Sequence, residues 1–191
     1  MLALDPRWKP QDGYTLIEMI IVGALVIVGS IIAIPVTIQM VSNAKGDSAQ
    51  VMLATFLETA RNRAVAERRN VELTFLSDTT MQLERIEVPD GTRTIIGSLQ
   101  LEGDSEFLRG DAGLPDTPAL FGGTETVNYS TGAPPAMFTS DGSLIDSAGD
   151  VVNVTIYIAR PDRPETQRAI TISGVTGLVR SYKWRGAEWL Q

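Results

Sequence analysis

Gly13-Tyr14-Thr15-Leu16-Ile17-Glu18-Met19-Ile20-Ile21-Val22 opens the stretch on which the reading of this chain turns, and it continues almost wholly apolar to Ile38. From Leu16 to Ile38, as a helix, the chain would run ~34 Å, enough to cross a ~30 Å hydrocarbon layer. A plain membrane anchor explains that length. A secretory signal explains the N-terminal location, and Ser42-Asn43-Ala44 is a passable cleavage site. The apolar run is too long for a signal core, which spans ~7–15 residues. Neither reading explains Glu18, the one charge between residues 14 and 43. A carboxylate inside a membrane helix is unfavourable, by roughly 2.5–3.5 kcal/mol at mid-bilayer and less toward the interface. No basic residue lies between Lys9 and Lys45 to neutralise it. A cut after Gly13 would supply a partner, because it creates an α-amino group on Tyr14. Glu18 would then occupy the first helical turn, where the helix dipole favours it, and its best partner would be the amino terminus of an adjacent subunit.

The stretch Gly13-Tyr14-Thr15-Leu16-Ile17-Glu18, followed by an apolar helix, closely resembles the prepilin-peptidase motif of type IV pilins and type II secretion pseudopilins. The usual form is Gly-Phe-Thr-Leu-Ile-Glu. Tyr14 for Phe is a mild departure; Asp12, where a basic residue is usual, is a larger one. The resemblance implies cleavage between Gly13 and Tyr14 by a prepilin peptidase and N-methylation of Tyr14. It assigns Glu18 to axial register in a filament and places Pro35 where pilins often carry a helix-kinking proline. Small residues Gly29 and Ala33, four apart, could let helices approach closely.

Beyond the apolar run, residues 47–68 read as a continuing amphipathic helix. Leu53, Phe56, Leu57, Ala60 and Ala64 form its stripe, and Glu58, Arg61, Arg63, Glu67 and Arg68 lie largely off it. Lys45-Gly46-Asp47 is a candidate weak point, and Asn70 a stop. The period then changes to two. Strands are predicted over 71–75, 81–86, 94–101, 125–129, 151–159, 169–173 and 178–184, and Asp141-Gly142 reads as a hairpin turn. Residues 102–124, rich in Gly, Pro and Asp, read as a long exposed loop. The expected fold is α+β: one long N-terminal transmembrane/pilin helix packed on an antiparallel β-sheet domain. Its parts are a leader (1–13), a membrane or filament-core helix (14–40), an amphipathic continuation (41–69) and a β-rich domain (70–191).

Leu57 through Val65, then Arg69 and a strand at once, resembles the H-type minor pseudopilins (general secretion pathway protein H) and the related FimT minor pilins. Met137-Phe138 with Asp141-Gly142, and Ile170-Thr171-Ile172 through Gly177-Leu178-Val179-Arg180, fit the same group. The resemblance implies a minor pseudopilin precursor, a structural subunit of a type II secretion pseudopilus. It would be a single-pass inner-membrane protein with its C-terminal domain in the periplasm. Its partners would be prepilin peptidase, other pilin-like subunits and, before assembly, inner-membrane lipid. A FimT-like pilin for pilus assembly or DNA uptake is the alternative within the family. An uncut, membrane-anchored extracytoplasmic binding protein is the alternative outside it.

Composition removes several function classes. The 191 residues include no histidine and no cysteine, which excludes Ser-His-Asp and Cys-His catalysis, imidazole or thiolate metal sites and disulfides. Carboxylates are plentiful, but nothing in their spacing makes two converge, so no enzyme and no cofactor is expected. Asp141, Asp146 and Asp150 could offer oxygens to calcium, yet the spacing is not an EF-hand and turn chemistry explains them; no metal is expected. Net charge is −7, and residues 70–158 hold fourteen acidic against three basic groups. Such a body repels polyanions. Only Arg180, Lys183 and Arg185, interleaved with Tyr182, Trp184 and Trp189, suit DNA contact. FimT-like pilins bind DNA through Gly-Arg-x-Arg, and Gly177-Leu178-Val179-Arg180 lacks the first arginine. DNA is a disfavoured partner.

Overall fold

The computed structural model describes residues 13–111 and 113–191. All of the expected leader except Gly13 lies outside them. Helix α1 runs Leu16–Glu67, 52 residues. Thr15 caps it: its hydroxyl accepts the Glu18 N–H at 3.3 Å, satisfying one of the donors a helix start leaves unpaired. At the other end Arg68 turns left-handed (φ 52°), and the Arg69 N–H donates to the Ala64 carbonyl at 3.1 Å. This is a Schellman-type stop with arginine where glycine is usual. Lys45-Gly46-Asp47 is helical throughout, so the expected weak point is not a break in the helix. The chain divides into two compact units, one ending at Val41 and one spanning Ser42–Gln191.

In the second unit the chain forms β1 (Val71–Phe75), β2 (Thr80–Ile86), β3 (Arg93–Gln100), β4 (Glu106–Phe107), β5 (Val127–Tyr129), β6 (Ala136–Phe138), β7 (Leu144–Ile145), β8 (Val154–Arg160), β9 (Arg163–Ile172), β10 (Val179–Trp184) and β11 (Trp189–Leu190). They make two sheets rather than one. The first has order β3-β2-β1-β6-β7; the second has order β11-β10-β9-β8-β4, with β5 also on β8. All pairings are antiparallel. The β6–β7 hairpin turns at Asp141-Gly142, where Gly142 takes φ 86°.

Alternation along the strands sets the two faces. Leu53, Leu57, Ala60 and Ala64 of α1 are fully buried against Val71 and Leu73 of β1, Met81 and Leu83 of β2, Ile156 and Ile158 of β8, and Ile170 and Ile172 of β9. Phe56 is only half-buried. Side chains of α1 also reach both sheets near their margins. Arg63 donates to the Ile96 carbonyl in β3 at 2.9 Å, and Gln50 to the Tyr182 carbonyl in β10 at 2.9 Å.

The segment 102–124 departs from the exposed loop expected of it. It carries β4, buries Phe107 edge-on to Phe75 with ring centroids 5.1 Å apart, and lays Leu114 over the outer face of the second sheet. There Leu114, Tyr157, Ala169, Tyr182 and Trp189 form a second, smaller core, tied down by the Trp189 indole N–H donating to the Pro115 carbonyl at 3.0 Å.

Candidate functional site

Gly13, Tyr14 and Thr15 precede α1 and are exposed, Tyr14 by 78%. The scissile bond expected from the sequence therefore lies in non-helical, accessible backbone. Glu18 sits in the first turn of α1 with its backbone N–H on Thr15. From Leu16 to Val41 the large apolar side chains that are described are all exposed, and the most apolar window (mean hydropathy 2.8) has no buried residue. A Cβ added at Gly23 or Gly29 would meet nothing within 4 Å. Complete burial of one such side chain is worth ~1.5–3 kcal/mol. Over this length the total exceeds the ~5–15 kcal/mol that holds a typical domain folded. The segment demands cover from lipid or from other helices. Pro35 lies within the continuous helix and cannot donate to the carbonyl four residues earlier.

Where α1 meets the second sheet, one carboxylate serves two cations. Arg168, with a side chain 0% exposed, donates from Nε (2.9 Å) and Nη2 (2.7 Å) to Asp47 Oδ1. Lys183 Nζ lies 2.9 and 2.8 Å from the two oxygens of the same carboxylate. Lys183 and Arg168 are directly opposed in the β9–β10 ladder, a repulsive arrangement unless an anion lies between them. Burial alone raises the Asp47 pKa, but the hydrogen bonds and charges of Lys183 and Arg168 outweigh it and hold the carboxyl below its ordinary range. One turn earlier, Arg160 bridges the Ser42 hydroxyl (2.8 Å) and Asp104 (3.0 Å). The sequence offers no signal for this clamp, whose halves are 121 residues apart.

The structure disperses the three basic residues that sequence proximity grouped. In β10, Lys183 faces α1 and is committed to Asp47, whereas Arg180 and Tyr182 point to the opposite face, and Arg185 lies past the strand end. They do not form one cationic strip. Asp146 is buried, and its oxygens accept N–H groups of Ala148 (2.9 Å), Asp150 (2.9 Å) and Ala133 (3.3 Å). Those bonds lower its pKa and make the spot a cradle for the carboxylate itself. Among the described residues no cluster of acidic side chains could hold a metal ion.

An apolar helical segment without cover, leading into a helix half-buried on antiparallel sheets, is the design of a pilin-like subunit. The family profile for the type II transport protein GspH matches residues 52–177, and the chain belongs to that family. That membership makes it a pilin-like protein of the GspH type. No curated protein sequence matches the chain. Among solved structures it is similar to the type IV minor pilin FimU of Pseudomonas aeruginosa PAO1, at 15% identity and TM-score 0.49 over 76% of this chain and 92% of that one. It is also similar to the minor pseudopilin EpsH of the Vibrio cholerae type II secretion system, at 14% identity and TM-score 0.47 over 78% of this chain and 99% of that one.

Proposed function

We propose that the chain is the precursor of a minor pseudopilin that serves protein secretion in a type II pseudopilus. Residues 1–13 are the leader, removed when prepilin peptidase cuts between Gly13 and Tyr14 and N-methylates Tyr14. Residues 14–40 hold the subunit in the inner membrane and later join the filament core, where neighbouring helices replace the lipid. Pro35 bends this helix. Residues 41–69 continue it into a periplasmic domain of residues 70–191. Gly13, Tyr14 and Glu18 are substrate and assembly groups, not catalysts. In the filament Glu18 pairs with the amino terminus of an adjacent subunit, a contact worth more in a dry helix bundle than in water.

The observation that carries this reading is the uncovered apolar surface of α1 from Leu16 to Val41, interrupted by one carboxylate in its first turn. GspH family membership supports the type II system. The test is Glu18→Ala in cells assembling the filament. Cleavage is expected to proceed as in the parent chain while incorporation falls to background. Normal incorporation of the variant would overturn the register role.

A further inference from the structure

An open groove of about 420 Å³ lies on the outer face of the β9–β10 hairpin. Pro118, Phe121 and Leu178 wall it. Thr171 and Arg180 line it as directly opposed residues of the β9–β10 ladder, and Arg180 is the one charged side chain there. Thr155 of β8 is directly opposed to Thr171 on its other side, so two threonines and the arginine make one row across three strands. Alternation puts that row on the outer face, because Ile156, Ile170 and Ile172 point into the main core.

The row is polar and unpaired. Thr155 is fully buried, and its hydroxyl has no hydrogen-bond partner. Thr171 is 2% exposed. Among the described residues neither its hydroxyl nor the Arg180 guanidinium has a hydrogen-bond or ion-pair partner. Buried hydroxyls are normally bonded, and each exception asks for a cause. Other cations of this sheet are answered from within: Arg168 and Lys183 by Asp47, Arg160 by Asp104 and Ser42. A free arginine beside two unpaired hydroxyls, framed by a phenyl ring, a proline and a leucine, matches an anion with an apolar body.

Charge and shape narrow the anion. Residues 70–158 hold fourteen acidic against three basic groups, so a polyanion is repelled and a single negative charge is repelled least. A carboxylate takes two guanidinium N–H groups in a planar fork and still accepts from a hydroxyl. The groove is open to solvent. That suits the end of a chain, whose last side chain enters while the rest stays outside, better than a small free acid, which depends on enclosure.

We infer that this groove binds the C-terminal end of a polypeptide that finishes in a large apolar residue. The last side chain packs on Pro118, Phe121 and Leu178. The terminal carboxylate forks onto Arg180 and accepts the Thr171 hydroxyl. The site belongs to the folded unit Ser42–Gln191 and does not depend on the filament reading.

The probe is a fluorescein-labelled Gly-Ser-Gly-Ser-Gly-Leu peptide with a free C-terminus, titrated with the full chain in lipid nanodiscs and read by anisotropy. Saturable binding is expected. The same peptide as its C-terminal amide is expected to bind roughly tenfold more weakly, the loss of one charge-assisted contact. A peptide ending in glycine is expected to lose a similar factor, because the apolar walls then stay wet. Arg180→Gln is expected to weaken the free-acid peptide roughly tenfold at an unchanged unfolding temperature, since Arg180 is exposed. Thr171→Val is expected to weaken it less. Absence of saturation, equal binding of acid and amide, or unchanged affinity in Arg180→Gln would each overturn the site. Decanoate that binds as tightly as the peptide would assign the groove to free acids instead, and displacement by an equal concentration of a single-stranded DNA oligomer would assign it to polyanions; either result also overturns it. The acid-against-amide comparison uses the parent chain, so it decides the matter even where a variant is unstable.

Discussion

Asp47 and Arg168 meet at 2.7 Å across 121 residues of chain, and the guanidinium is fully enclosed while half of the carboxylate stays in water. The pair fixes α1 to β9 just beyond the apolar segment. Within the unit Ser42–Gln191, a buried cation neutralised by a carboxylate of α1 ties this part of the helix to the second sheet.

Removing the carboxylate leaves Arg168 and Lys183 opposed without an anion. Asp47→Ala is therefore expected to lower stability by about 1–3 kcal/mol, discounted from the ~3–5 kcal/mol of a wholly enclosed pair because Asp47 is half-exposed. Denaturant unfolding of the full chain in detergent measures it. Adding Lys183→Met is expected to recover part of the loss; a variant as stable as the parent would show the clamp to be idle.

Acid should act through the same group. The native pKa of Asp47 is below the ordinary 3.8, so its contribution is complete above that value and is lost as pH falls through the lower native one. Asp141, held down to about 2 by the Thr139 hydroxyl and by Ser143, titrates in the same direction. Unfolding temperature is expected to be flat from pH 7 to pH 5 and to fall below about pH 4, less steeply in Asp47→Asn. An equal slope in that variant would remove Asp47 from the explanation.

Gly46 is helical, and a Cβ there meets Arg168 and the Thr166 carbonyl at 3.5 Å, an ordinary contact. Gly46→Ala is expected to stabilise by roughly 0.5–1 kcal/mol, the usual helix-interior difference. Thermal unfolding decides it, and a destabilised variant would restore the weak point read from the sequence.

Gly177 is the opposite case. At φ 62° an added Cβ would lie 2.1 Å from the Gly142 carbonyl oxygen and 2.7 Å from Arg61 Nε. Gly177→Ala is expected to cost roughly 2–4 kcal/mol, by strain and by parting the two turns that Arg61 bridges. Equilibrium unfolding measures this cost; a change below about 0.5 kcal/mol would mean the turns are not held together there.

What the sequence made legible depends on how local the cause is. The apolar run, the stripe Leu53-Leu57-Ala60-Ala64 and the switch to period two after Asn70 are each decided within one or two turns of chain, and the structure has α1, β1 and β2 there. Asp141-Gly142 carries its turn chemistry in two residues. The division into two sheets was not readable, because β1 pairs with β6 across more than sixty residues and one strand, β8, takes β4 and β5 on the same side. The segment 102–124 has loop composition, and only the outer face of the second sheet makes Leu114 an interior residue. Arg180 and Lys183 look adjacent in sequence, and the pleat sends them to opposite faces. The Arg168 partner could not be found from spacing at all.

The most direct measurement is the N-terminus and intact mass of the membrane-extracted protein, expressed with the prepilin peptidase of its own system. A chain that begins at N-methylated Tyr14 is expected, with the mass of residues 14–191 plus one methyl group. A chain that still begins at Met1, or one that begins at Lys45, would contradict the assignment of Gly13, Tyr14 and Glu18 and, with it, the filament account.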